Sequence, residues 1–290
     1  MANISIIINE READIGGFKV GRLLPSRMKR SVGPFVFLDH MGPAELKAGE
    51  NMDVLAHPHI GLSTLTYLFE GTVLHRDSIG SETEIRPGAV NWMTAVKGIV
   101  HSERSPEYVR NTSKRLHGFQ IWVAMPVEME EAEPSFHHIP ADMIPTWEYR
   151  GAQFRLIAGE LFDKISPVPV HSRFYFLEFK SKEQQIVNFD GELYGESAIY
   201  ILDGKIKIGE IEYNSGQLLV LENDHTCEFV IEENSVLYII GGEPFPEKRF
   251  INWNFVSSSR EKIDQAIERW EKQEFPDIPG EEGFVPYPAR

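Results

Sequence analysis

The sequence predicts an all-β protein: two small jelly-roll barrels in tandem, closed by one C-terminal helix. Three observations predict it. Short β-branched or aromatic segments recur between clusters of Gly, Pro, Asn and Asp, which is the spacing of a sandwich or barrel. Two such regions flank a stretch rich in Pro and Glu. Helical periodicity stands out only near the end of the chain.

The first region carries Phe35-Val-Phe-Leu38, Leu62 to Phe69 and Phe119 to Ala124 as strands. From Met125 to Pro145, four prolines (126, 134, 140 and 145) alternate with Glu128, Glu130, Glu131 and Glu133. Pro removes a backbone donor and Glu resists burial, so this stretch reads as a linker that few strand pairings cross. The expected domains are therefore residues 1–135 and 136–290. In the second region, Phe154 to Ala158, Phe174 to Phe179, Gly216 to Leu221 and Phe229 to Ile240 read as strands, and Asp203-Gly204 reads as a hairpin turn within Ile199 to Ile208. Ser257-Ser258-Ser259 can cap a helix in which Ile263, Ala266, Ile267 and Trp270 share one face. The residues from Phe275 onward read as an extended tail.

The bulk numbers exclude several functions. With 29 Lys and Arg against 44 Asp and Glu, the net charge is −15. Such a chain repels phosphate, which argues against direct nucleic-acid binding and against an anionic membrane surface. The basic residues Arg22, Arg27, Lys29 and Arg30 read as solvated loop positions. A single cysteine, Cys227, permits no internal disulfide and fits a reducing compartment. The opening residues show no basic leader and no long apolar run, so the expected location is cytoplasmic.

The chemistry lies in two short motifs. In His57-Pro58-His59, two imidazoles at i and i+2 point to one side of a strand. His101-Ser102-Glu103 repeats that spacing after a turn at Gly98. One His-x-His is weak; two ligand pairs in one β-rich domain point to a metal. Between them the chain reads strand, Gly turn at Gly71, strand, Pro-Gly turn at Pro87-Gly88, strand. This is the cupin pattern, a double-sheet jelly roll with the second pair facing the first across the barrel.

Longer segments carry a closer likeness. His57-Pro-His-Ile-Gly-Leu-Ser-Thr-Leu-Thr-Tyr-Leu-Phe-Glu-Gly71, Pro87-Gly-Ala-Val-Asn-Trp-Met-Thr-Ala95, Gly98-Ile-Val-His-Ser-Glu103, His117-Gly-Phe-Gln-Ile-Trp-Val123 and Gly241-Gly-Glu-Pro244 resemble the pirin family. The resemblance implies a bicupin whose N-terminal barrel holds one metal, usually iron, on His57, His59, His101 and Glu103. It implies a C-terminal barrel without metal. It also implies quercetin 2,3-dioxygenase activity of the kind some members have, or the nuclear, iron-dependent co-regulation described for eukaryotic ones. Two positions depart from the common pattern: Ser63, where some pirins carry Glu, and Asn91, where many carry Gln. Ile251-Asn-Trp-Asn-Phe255 is closer to bacterial members, which favours the enzyme.

Three imidazoles and a carboxylate leave two positions of a six-coordinate metal for substrate and dioxygen. Fe(II) is the metal the resemblance implies, and the same ligands suit Ni, Cu, Co, Mn or Zn. The expected substrate is a flavonol or similar enol, with Glu103 as the base that takes its hydroxyl proton. Two other readings use the same ligands: an iron or redox sensor docking on a protein partner, and a structural metal cupin without substrate. Among weaker candidates, His75 and Asp77 read as a surface strand before a pair that orients a ligand. His40 is a candidate pocket residue, and Phe69, Trp92 and Met93 candidate pocket walls. His117, His137, His138, His171, His225 and Cys227 are expected to be packed, exposed or isolated.

Overall fold

The computed structural model describes residues 3–15, 17–149, 151–189, 191–222 and 228–288. The chain forms two compact β units, and they are not consecutive halves. One takes residues 1–11, 22–38 and 142–245; the other takes 12–21, 39–141 and 246–290. The C-terminal helix and tail thus belong with the histidine motifs, and the N-terminal strand Ile4–Asn9 pairs with Gln217–Leu221. Among the described residues, no helix is long and apolar enough to cross a membrane.

In the unit that carries the histidines, a four-stranded sheet runs in the order Asp53–His59, Ile99–Arg104, Val73–Asp77, Glu82–Ile85. A larger sheet has Ser135–Ile139, Val90–Thr94, Leu62–Glu70 and Lys114–Ala124 as neighbours in that order. The other unit repeats the plan. Its small sheet runs Gln185–Asn188, Glu228–Ile231, Lys205–Ile208, Ile211–Asn214, and its large sheet includes Gln217–Leu221, Glu196–Asp203, Ser235–Gly242 and Phe174–Ser181 in that order.

The repeat explains one correction. Asp203-Gly204 does not close a hairpin: Glu196–Asp203 pairs within the large sheet and Lys205–Ile208 within the small one. Gly204 is the corner between sheets, with φ of +74°, and a Cβ there would lie 2.0 Å from Ser235 Oγ. Gly71 turns the same corner in the other unit, with φ of +88°. Only glycine meets both the left-handed backbone and the close approach.

The stretch 125–145 is also more structured than a linker. Ser135–Ile139 pairs with Val90–Thr94, and Glu130 is 3% exposed. Its carboxylate accepts from Ser258 N–H at 2.7 Å and from Ser257 Oγ at 2.8 Å, and pairs with Lys262 at 3.3 Å. Glu130 therefore supplies the negative charge at the start of the helix Arg260–Glu271. The expected serine cap is absent: Ser259 is the N-cap residue and makes no side-chain cap bond. The apolar face is as expected. Ile263, Ala266, Ile267 and Trp270 are buried against Ala56, Ile60, Val100 and Phe255, behind the strand that carries the histidines.

Candidate metal centre

Strand alternation sets out the site. In the small sheet His101 pairs with His57 on one side and with Asp77 on the other, and Glu103 pairs with His75. A bulge lies between His101 and Glu103 along the pairing with Asp53–His59. Alternation turns Ser102 the opposite way, where its hydroxyl donates to Glu281 at 3.0 Å.

His57, His59 and His101 are all buried, and one ring nitrogen from each lies within 4.8 Å of the others. His59 Nε2 and His101 Nε2 are 3.1 Å apart. His57 Nδ1–H donates to the carbonyl of Leu55 at 2.8 Å, and His59 Nδ1–H donates to the carbonyl of Asn254 at 3.0 Å. A carbonyl only accepts, so these partners assign the proton to Nδ1 and leave Nε2 a lone pair. Burial pushes His57 down to about 4 and holds His59 and His101 well below the ordinary imidazole range. Neutral imidazoles with converging lone pairs are the donor set a divalent transition metal requires.

Glu103, the fourth residue expected from sequence, is buried two positions beyond His101, but its carboxylate is not part of the group gathered within 4.8 Å. Its Oε1 lies 3.2 Å from the Thr66 hydroxyl, which lies 2.8 Å from Gln120 Oε1. Burial raises the Glu103 carboxyl above its usual range. A divalent cation alongside would act in the opposite direction and favour the carboxylate. Thr66, Gln120 and Trp122, whose ring meets His59 edge-on at 5.0 Å, were not singled out from sequence. Each sits inside an ordinary apolar strand pattern, so only the fold brings it here.

His75 and Asp77 correct an expectation. They are not on a surface strand: both are buried. His75 Nδ1 lies 3.4 Å from His101 Nδ1, and His75 Nε2 lies 3.0 Å from Asp77 Oδ2. His40 bonds to His117 through Nε2 at 2.8 Å, beside Phe69 and Phe119, so these four form a cluster of their own. His137 and His138 are exposed, as expected. His225 and Cys227 lie outside the described residues.

Comparison with known proteins agrees with this geometry. The pirin family model matches residues 17–123, and the model of the pirin C-terminal cupin domain matches residues 176–276. The chain belongs to the pirin family. A pirin-like protein of Caulobacter vibrioides is 45% identical over 98% of this chain and 99% of its own length. Among solved structures, a quercetin 2,3-dioxygenase from Acinetobacter baumannii superposes with a TM-score of 0.90 at 33% identity, covering 98% of this chain and 95% of that one. The bacterial pirin YhhW from Escherichia coli, solved with nickel(II), shares the fold with a TM-score of 0.64 at 18% identity, over 83% of this chain and 99% of that one.

Among the described residues, the second cupin unit sets apolar side chains where the first sets imidazoles. The counterparts of the two ligand strands, Gln185–Asn188 and Glu228–Ile231, place Val187, Phe229 and Ile231 in an apolar core. Where one pirin barrel gathers imidazoles, the other gathers hydrocarbon.

Proposed function

We propose that this chain is a metal-dependent dioxygenase of the quercetin 2,3-dioxygenase type, opening a flavonol or a related enol with dioxygen and releasing carbon monoxide. The observation that carries the reading is the convergence of His57, His59 and His101 as buried, neutral ligands. It occurs in a chain one third identical, along nearly its whole length, to a solved quercetin 2,3-dioxygenase. In this reading Glu103 is the fourth ligand, and Fe(II) is the native metal, with Ni, Co, Mn, Cu and Zn as substitutes. The setting is cytoplasmic, with neither nucleic acid nor membrane as partner.

When bound, the metal supplies Lewis acidity toward the substrate's enol oxygen and a meeting place for substrate and dioxygen. The protein's own groups do the rest. Glu103, favoured as the carboxylate beside a divalent cation, would be the group that accepts the 3-hydroxyl proton. Thr66 Oγ1 lies 3.2 Å from that carboxylate and 2.8 Å from Gln120 Oε1, and its single proton bonds one of the two at a time. Trp122 covers His59 and keeps water from that side of the site.

The test is oxygen uptake with quercetin by protein reconstituted with Fe(II), with carbon monoxide followed in the same vessel. Coupled uptake and release, lost in His101→Ala, supports the assignment. Stoichiometric metal without turnover on any flavonol rejects it and favours the sensor with a protein partner.

A further inference from the structure

The three histidines are not held alike. His57 and His59 lean on backbone carbonyls, which no substitution of those residues removes. His101 leans on a side chain, His75, and His75 leans on Asp77. The Asp77 end of this row is fixed by the backbone. Oδ1 accepts from the N–H of Ile79 at 3.1 Å and of Ser81 at 2.9 Å, leaving Oδ2 for His75. With two N–H groups on Oδ1 and the His75 ring on Oδ2, Asp77 is an acceptor at both oxygens. A neutral His75 then donates from Nε2 and keeps Nδ1 as its acceptor. That acceptor faces His101 Nδ1 at 3.4 Å and draws the His101 proton there, in competition with the contact of His101 Nε2 and His59 Nε2 at 3.1 Å. Stacking on Phe136, with ring centroids 4.3 Å apart and planes 13° apart, keeps His75 from rotating out of the row.

We propose that His75, set by Asp77, is a positioning residue for the metal: it fixes the tautomer and ring plane of His101. This rests on the metal reading above. It adds that one of the three ligands is tuned through side chains.

The row makes an unusual demand on Asp77→Asn. The two backbone N–H groups keep the amide oxygen, so the amide NH2 faces His75. His75 must then accept at Nε2 and donate from Nδ1. His101 is forced to accept at Nδ1 and to carry its proton on Nε2, where the metal belongs. A near-isosteric change two residues beyond His75 therefore switches off a ligand whose ring the altered side chain does not bond.

The tautomer is read directly from imidazole 15N shifts in metal-free protein, and affinity from Ni(II) titration against a competing chelator. Asp77→Asn is expected to move the His101 proton from Nδ1 to Nε2 and to weaken Ni(II) by about 10- to 100-fold. His75→Gln offers an amide oxygen to His101 and is expected to stay within a few-fold of the parent. Combining His75→Gln with Asp77→Asn should bring no recovery, because the glutamine then turns its oxygen to the asparagine NH2 and its own NH2 to His101 Nδ1. The His101 15N shift, which a merely structural role for Asp77 would not move, is the deciding readout. Circular dichroism confirms that each variant is folded. A His101 proton that stays on Nδ1 in Asp77→Asn, with Ni(II) affinity unchanged, overturns the inference. Failure of the parent to take up Ni(II) overturns the metal reading instead, and the 15N shifts still decide the tautomer relay.

Discussion

His59 donates its Nδ1 proton to the main-chain carbonyl of Asn254, 195 residues further along the chain. A candidate metal ligand near the start of one barrel is thus oriented by a segment near the far end of the chain. That segment is fastened behind the ligand strands: Val285 N–H donates to the Ala56 carbonyl at 2.9 Å, and Trp270 Nε1–H to the Val285 carbonyl at 3.0 Å. Glu281 binds Arg76, Arg104 and Ser102 on the outer side of the sheet.

Ending the chain after Phe275 should therefore loosen the centre without touching a ligand. The loss of Ile278 from the apolar cluster alone removes about 1.5–3 kcal/mol. The expected result is a lower melting temperature together with weaker Ni(II) binding. Unchanged metal affinity in the shortened chain would show that the tail stabilises the fold and leaves the histidines alone.

His101→Ala should abolish stoichiometric metal and leave the barrel folded, since the residue's neighbours in the sheet are held by their own ladder bonds. Metal content by elemental analysis, set beside circular dichroism, checks both halves of the statement.

Glu103→Gln keeps the size of the side chain and a carbonyl oxygen for Thr66. Turnover on quercetin should fall by about 100-fold or more at equal metal loading, the usual contribution of a positioned base. Turnover equal to the parent's would remove Glu103 from that role.

The metal-free protein should lose stability in acid over a defined window. An imidazole held neutral has a folded pKa below its unfolded value of about 6.5. The unfolded chain then binds more protons, and stability rises with pH. For His57 the contribution is complete above about 6.5 and is lost as pH falls toward about 4. His59 and His101 shift in the same direction. Each histidine adds a slope of about 1.4 kcal/mol per pH unit within the window. Urea midpoints measured across it should fall steadily with acid, and His101→Ala should flatten the trend.

Much of this was legible in the sequence because the relevant signals repeat every second residue. His57 and His59, and His101 and Glu103, mark strand faces directly. His75 and Asp77 have the same spacing, but Leu74 and Arg76 around them suit a surface strand equally well. What buries the pair is the neighbouring strand Ile99–Arg104 and the ring of Phe136, neither of which is local. Asn254 was beyond reach for a different reason: it acts through its carbonyl, which every residue has. Glu130 misled because a carboxylate in a Pro-rich stretch resembles solvent-facing charge, and its partners Ser257 and Lys262 are far along the chain. Asp203-Gly204 misled because a left-handed glycine serves a hairpin and a corner equally, and the pairing partners of the flanking strands decide which.

The apolar interior of the second cupin unit bears on how the first is built. In the second unit the strand order shared by both small sheets stands around Val187, Phe229 and Ile231, and the first unit has an apolar cluster of its own around Val20, Leu68, Val73 and Ile85. The strand order itself therefore does not call for an ion. An ion in the first barrel would be a guest in a scaffold that already stands, and its removal should leave an intact, empty vessel instead of an unfolded chain.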